Sequence, residues 1–259
     1  MKEYLKKISP ILVILGLLLI WELAVFAADI PAYILPAPTE ILSTLAEDID
    51  DLVRHSLVTV SEALSGMAIS VVSGVIFSLI MDLFPGFKRC IYPILVVTQT
   101  VPVIVLAPIL VIYMGFGWGP KILTVVLMCF FPIVVSFSDG LGGMDEGFSN
   151  LIRTYGGSVS QVYRFVKIPS AFVSLLSGLK VAATYSISGA VVGEWIASSS
   201  GLGYYLIRAK NGYEMEKVFA SVLVIIILSL MMNGLVKLFS YFAVPGSRRH
   251  RRKNSFNKG

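Results

Sequence analysis

Residues 154–169 read TYGGSVSQVYRFVKIP and lie between two long apolar segments. Arg153, Arg164 and Lys167 surround the Gly156-Gly157 pair. The apolar stripe here is too short to cross a bilayer. The stretch divides at its glycines. Before them, Leu151, Ile152 and Tyr155 make a short apolar face at helical spacing. Gly156 and Gly157 permit a turn with positive φ. After them, Ser158 and Gln161 form the capping-box pattern S-x-x-Q. Val159, Val162, Tyr163 and Val166 follow at i, i+3, i+4 and i+7, one face of a short helix. Pro169 is expected to end that helix and lead into the next apolar segment. A helix of about 10 residues is marginal alone. It must dock, either on the membrane surface or on a cytoplasmic protein.

Outward from this element the chain is oily. Of 259 residues, 56% are hydrophobic and 14% charged, and the mean hydropathy is +0.83. A soluble domain of this length needs more polar surface, so the fold class is an all-α polytopic membrane protein. Six segments are long enough to span: 8–28, 58–83, 90–116, 121–141, 171–196 and 218–244. They form a single transmembrane domain over 1–259, with the loop at 144–169 on one side. An even number of spans places both termini together. With both inside, Lys2, Lys6, Lys7, Lys88, Arg89, Arg153, Arg164, Lys167, Lys237, Arg248, Arg249, Arg251, Arg252, Lys253 and Lys258 are cytoplasmic. Arg54, Lys121, Arg208, Lys210 and Lys217 are outside, and Lys180 lies within the fifth span. That asymmetry sets the orientation and explains the net charge of +5 without nucleic acid. A cleaved signal peptide ending near Phe26-Ala27-Ala28 is the rival reading of the first segment. Its length and Glu22 argue against that. The loop after it is acidic and Pro-rich, with Thr39 as a plausible N-cap for a short interfacial helix.

The spans carry two ribbons of small residues. Gly66, Ser70, Gly74 and Ser78 lie four apart in the second, which suits close helix packing. Ser174, Gly178, Ala182, Ser186 and Ala190 do so in the fifth and lead to Glu194. This second ribbon suits a packing seam or a pathway wall equally. Glu194 also reads as an interfacial acid beside Trp195, with Tyr204 and Tyr205 in the same outer belt. In the third span, Pro93, Pro102 and Pro108 remove backbone donors, and Gln99 and Thr100 sit beside the Pro102 kink. Such backbone is tolerated where it is buried or lines water, so pathway lining and a kinked packing helix both fit.

Cys90 and Cys129 read as buried thiols, and His55 and His250 as solvated loop residues. No metal cluster, Walker A sequence or nucleophile elbow is present, and no cofactor is expected. No mid-membrane chain of acids with Arg or His supports ion coupling. The chain has no visible means of releasing chemical energy, so active transport needs a partner.

The order G-x9-V-x-I-P, from Gly156 through Val166 and Ile168 to Pro169, resembles the signature loop of permease subunits of binding-protein-dependent ABC importers, written EAA-x3-G-x9-I-x-L-P. Asn150, Leu151 and Ile152 stand where that family has E-A-A. LPAPTEIL (35–42), QTVPVIVLAPILVIYMGFG (99–117) and SGLKVAATYSISGAVVGEWIASSSGLGYYL (177–206) resemble the nitrate, sulfonate, taurine and thiamine-precursor branch. The resemblance implies a type I importer fold and three kinds of partner. These are a cytoplasmic ATPase dimer, an extracytoplasmic solute-binding protein and a second copy of this subunit. It also implies that Arg153, Tyr155, Gly156, Gly157, Ser158, Val159, Val162, Tyr163, Val166 and Pro169 form the ATPase-coupling loop. The GEWIASSSGLGYYL run is most similar to permeases for a pyrimidine precursor of thiamine, with riboflavin, nitrate and alkylsulfonates or taurine as alternatives. A stand-alone channel or a membrane enzyme is the rival class.

Overall fold

The computed structural model describes residues 2–243. All regular structure in these residues is helical. In chain order the helices are α1 (Lys2–Ala27), α2 (Pro38–Glu47), α3 (Ile49–Leu83), α4 (Pro85–Thr98), α5 (Val103–Met114), α6 (Trp118–Gly142), α7 (Glu146–Thr154), α8 (Val159–Val162), α9 (Ile168–Ala197), α10 (Leu202–Asn211) and α11 (Met215–Ala243). A π-helical turn, Tyr163–Lys167, joins α8 to α9. Five helices are long and apolar enough to cross a membrane, or six spans if the bent pair α4–α5 counts as one.

The core is a three-helix layer of α3, α6 and α9, backed by α11. Small residues set its spacing. A methyl group on Gly66 would lie 2.5 Å from Val125 Cβ, and one on Gly74 would lie 2.9 Å from Ile133. Ser70 and Ser78 turn the same seam polar by donating to the Val126 and Val134 carbonyls, at 3.4 and 3.1 Å. Rising residue numbers on α3 meet rising numbers on α6, so these two run parallel. α9 runs antiparallel to α6. Gly178 faces the Pro132 carbonyl, Cys129 Sγ donates to the Ala182 carbonyl at 3.3 Å, and Gly193 faces Lys121. Without a hydrophobic drive between helices in lipid, close backbone approach of this kind carries the association.

Around this layer the chain differs from its sequence reading in several places. The segment 90–116 is not one straight helix: α4 and α5 meet at 101°. Pro102 has no N–H to give, and it forces Val101 out of the α region. Pro93 and Pro108 stay inside their helices. α3 begins at Ile49, well before 58, because Leu52, His55, Thr59 and Glu62 continue its buried face. His55 is therefore a buried helical residue rather than a solvated one. Cys90 is exposed while Cys129 is buried. The N-cap of α2 is Ala37, whose N–H donates to the Glu40 carboxylate at 2.8 Å. Thr39 instead donates through N–H and hydroxyl to Glu22 of α1, at 3.1 and 2.6 Å. That bond and the Trp21–Phe219 ring contact hold α1 to the bundle. From Ile11 to Ile20 it presents mostly exposed aliphatic surface, as a lipid-facing helix requires. His250 and the basic run at 248–258 lie outside the described residues.

Candidate functional site

The glycine-split stretch forms an elbow at one end of the bundle. α7 is capped by Asp145, whose side chain accepts from the Gly147 N–H at 2.8 Å. Its apolar residues Phe148 and Leu151 and its C-cap Tyr155, at i, i+3 and i+7, all face outward, and Tyr155 is 85% exposed. Ile152 turns inward. The two glycines then serve different needs. Gly156 takes φ +79°, and a methyl group there would meet open space. Gly157 has ordinary φ, but a side chain would strike Ile152. The capping box forms as the sequence spells it: Gln161 N–H donates to Ser158 Oγ at 3.3 Å and Ser158 N–H donates to Gln161 Oε1 at 2.7 Å.

The helix does not stop at Pro169. It runs on into α9 through the π turn, where Ile168 N–H reaches back to the Tyr163 carbonyl. A proline at 169 lacks the N–H that would bond Phe165 and crowds that carbonyl. A single widened turn absorbs both problems. The elbow is also braced from the side. Lys167 Nζ and the Tyr163 hydroxyl both lie 2.5 Å from the Asp82 carboxylate at the end of α3. Val162 is buried and Val166 half-buried, while Val159, Arg153 and Phe165 are exposed. Asp82 escaped the sequence reading. Its signal was an isolated acid at the end of an apolar run whose end also carries Lys88 and Arg89.

At the far end the same three long helices hold a buried cluster. Lys121 pairs with Glu62, and Glu62 lies beside Glu194. Both carboxylates are essentially inaccessible, and Lys121 is 3% exposed. Glu194 accepts from the Thr59 hydroxyl at 2.7 Å and from Gly203 N–H at 2.6 Å. Thr59 Oγ accepts from Leu202 N–H at 2.8 Å, and His55 Nδ1 accepts from Gly201 N–H at 2.9 Å. The loop between α9 and α10 is thus clasped by side chains from α3 and α9. Gly201, with φ +102°, leaves no room for a side chain against Glu194. Beyond the clasp, burial first and the Asp48 carboxylate second push the Tyr205 hydroxyl well above the ordinary phenol range. Glu62 was missed in the sequence, although it continues the four-residue ribbon of Gly66, Ser70, Gly74 and Ser78 upstream.

Between the two ends, the α4–α5 break opens a half-open cavity of about 480 Å³. Gln99 and Thr98 border it from the break, Leu106 from α5, Met128 and Phe131 from α6, and Tyr185 from α9. Thr100 and Pro102 stand at the break itself, and the Thr100 hydroxyl donates to the Val97 carbonyl at 2.7 Å. Ser174, Gly178, Ala182, Ser186 and Ala190 lie on the side of α9 turned to α6, away from this cavity, and Glu194 belongs to the clasp. The neighbouring stripe of α9, with Ser177, Thr184, Tyr185 and Ser188, is exposed and polar. The sequence drew attention to the small residues, and this stripe passed unnoticed. Among the described residues no group of His, Cys, Asp and Glu is arranged to hold a metal.

Residues 66–242 match the family described as binding-protein-dependent transport system inner membrane component. The chain is similar to a probable ABC transporter permease protein of Haemophilus influenzae, at 32% identity over 88% of this chain and 93% of that one. It is also similar to the formylaminopyrimidine transport permease protein ThiX of Halalkalibacterium halodurans, at 33% identity over 95% and 98%. Among solved structures, an inward-facing form of the MetNI methionine ABC transporter shares the fold, with a TM-score of 0.58 and 16% identity over 76% of this chain and 95% of that one.

Proposed function

Because the chain belongs to the family of binding-protein-dependent transport system inner membrane components, we propose that residues 144–169 are its coupling element, through which a separate ATPase drives solute inward. The chain is an ABC transporter permease subunit and a multi-pass protein of the inner membrane; ATP hydrolysis lies in a partner subunit. The observation that carries the coupling reading is the bare apolar stripe of Phe148, Leu151 and Tyr155, on the short helix and C-cap that lead into the turn braced to Asp82. Such a stripe on a short helix needs a cover. The ATPase supplies one, and the elbow lies on the cytoplasmic side with both termini.

The mechanism follows from the continuity of the elbow with α9. ATP binding brings two ATPase subunits together and draws their coupling elements with them. The π turn, α9 and the helices packed on it then rock toward an outward-open state that accepts solute from the binding protein. Hydrolysis resets the pair. The polar exposed stripe of α9 supports a second copy of this subunit across the pathway, since polar groups at that depth avoid lipid. The solute is best read as a pyrimidine precursor of thiamine, on the strength of the likeness to ThiX. Riboflavin, nitrate and alkylsulfonates or taurine are the alternatives.

Gly156→Val tests the coupling reading. A β-branched residue at φ +79° is strained, yet open space around it avoids any clash. Expected are normal insertion, retained ATP hydrolysis and uptake reduced at least tenfold in proteoliposomes. Full uptake with normal ATPase association would overturn the assignment.

A further inference from the structure

The cavity at the α4–α5 break has a lining that favours one kind of solute. Its wall is mostly aliphatic and aromatic, from Leu106, Met128 and Phe131. Two polar groups border it without a hydrogen-bond partner inside the protein, the Gln99 amide and the Tyr185 hydroxyl. No Asp, Glu, Lys, Arg or His stands among its lining residues. A volume of about 480 Å³ falls within the roughly 300–1,000 Å³ common for small-molecule sites, and an apolar wall with a few free polar groups is their usual make-up.

We propose that this cavity is a selecting site for a neutral, planar heteroaromatic solute, held by the Gln99 amide, the Tyr185 hydroxyl and the rings of Tyr185 and Phe131. The proposal rests on the permease reading and narrows it. A primary amide offers a donor and an acceptor side by side. That pair matches a ring nitrogen next to an exocyclic amino group. Aromatic side chains give the flat ring stacking surface. An anion gains nothing here: it would shed its water and find no counter-charge. Nitrate and sulfonates are therefore poor occupants. The nearest cation along α9 is Lys180, five residues before Tyr185 and about 7.5 Å down the axis. It is not part of the lining.

The test uses the permease purified with its ATPase in nanodiscs, with no binding protein present. Binding of 4-amino-2-methylpyrimidine is followed by saturation-transfer NMR. Expected are binding to the native complex, no displacement by equal concentrations of nitrate or methanesulfonate, and affinity weakened about tenfold by Gln99→Met and several-fold by Tyr185→Phe. The second variant keeps the ring and fills the same space, so a loss there is not a folding defect. Displacement by the anions overturns the proposal. So does unchanged binding in both variants, or a loss of binding caused by Lys180→Gln instead. Failure of the permease reading looks different: no ATPase accompanies the purified chain, whatever ring it binds.

Discussion

Lys121 meets Glu62 where water is excluded, and a second carboxylate, Glu194, lies alongside. Breaking a buried pair by deleting one partner leaves a charge with no compensation, which costs about 3–5 kcal/mol. Lys121→Met is therefore expected to lower the unfolding midpoint of the purified complex sharply. The double variant Glu62→Gln with Lys121→Met removes the orphaned charge and should regain most of the loss. An unchanged midpoint in the single variant would mean that the pair carries no weight in the fold. Sequence spacing pointed to Glu194 because a ribbon of small residues led into it. Lys121 stood only as an outer-side cation, since pairing across α3 and α6 is a tertiary fact. The two glycines of the elbow were similarly half legible. Residue type marks a turn, but only the packing of Ile152 shows that Gly157 is needed for space and Gly156 for φ.

Elements raise a different question, which is how a load on the elbow would reach α9. The capping box was readable because Ser158 and Gln161 act within one turn, and local hydrogen bonds need no distant partner. Pro169 misled for the opposite reason. Its missing N–H has two remedies, a stop or a widened turn, and the brace to Asp82 accompanies the second. The same ambiguity applies to Pro93, Pro102 and Pro108: only Pro102 breaks the helix, because α5 turns there to pack on α6. If the brace transmits force, Asp82→Asn should weaken it. A hydrogen bond to a charged group contributes about 1.5–3 kcal/mol, and a loss of about 1.4 kcal/mol is tenfold in an equilibrium. The expected result is a roughly tenfold fall in uptake per ATP hydrolysed, with the ATPase still bound. Uptake and hydrolysis that remain in native proportion would show that the elbow moves α9 without Asp82.

For the whole molecule the decisive unknown is direction. The helix layer, its parallel and antiparallel pairs and its two polar ends would look the same upside down. Charge breaks the symmetry: the six-span reading of the sequence sorts fifteen Lys and Arg to the elbow side and five to the other. Retention of basic loops on the cytoplasmic side makes that difference an orientation signal. Labelling tests it directly. Exposed Cys90 is first changed to Ser and buried Cys129 to Ala. Single cysteines are then placed at Tyr155, 85% exposed on the elbow, and at Tyr213, 73% exposed in the turn between α10 and α11. A membrane-impermeant maleimide applied to intact spheroplasts should label Tyr213→Cys and spare Tyr155→Cys until the membrane is opened. The reverse pattern would put the elbow outside the cell, where no ATP-driven subunit reaches it, and the coupling mechanism would fall with the orientation.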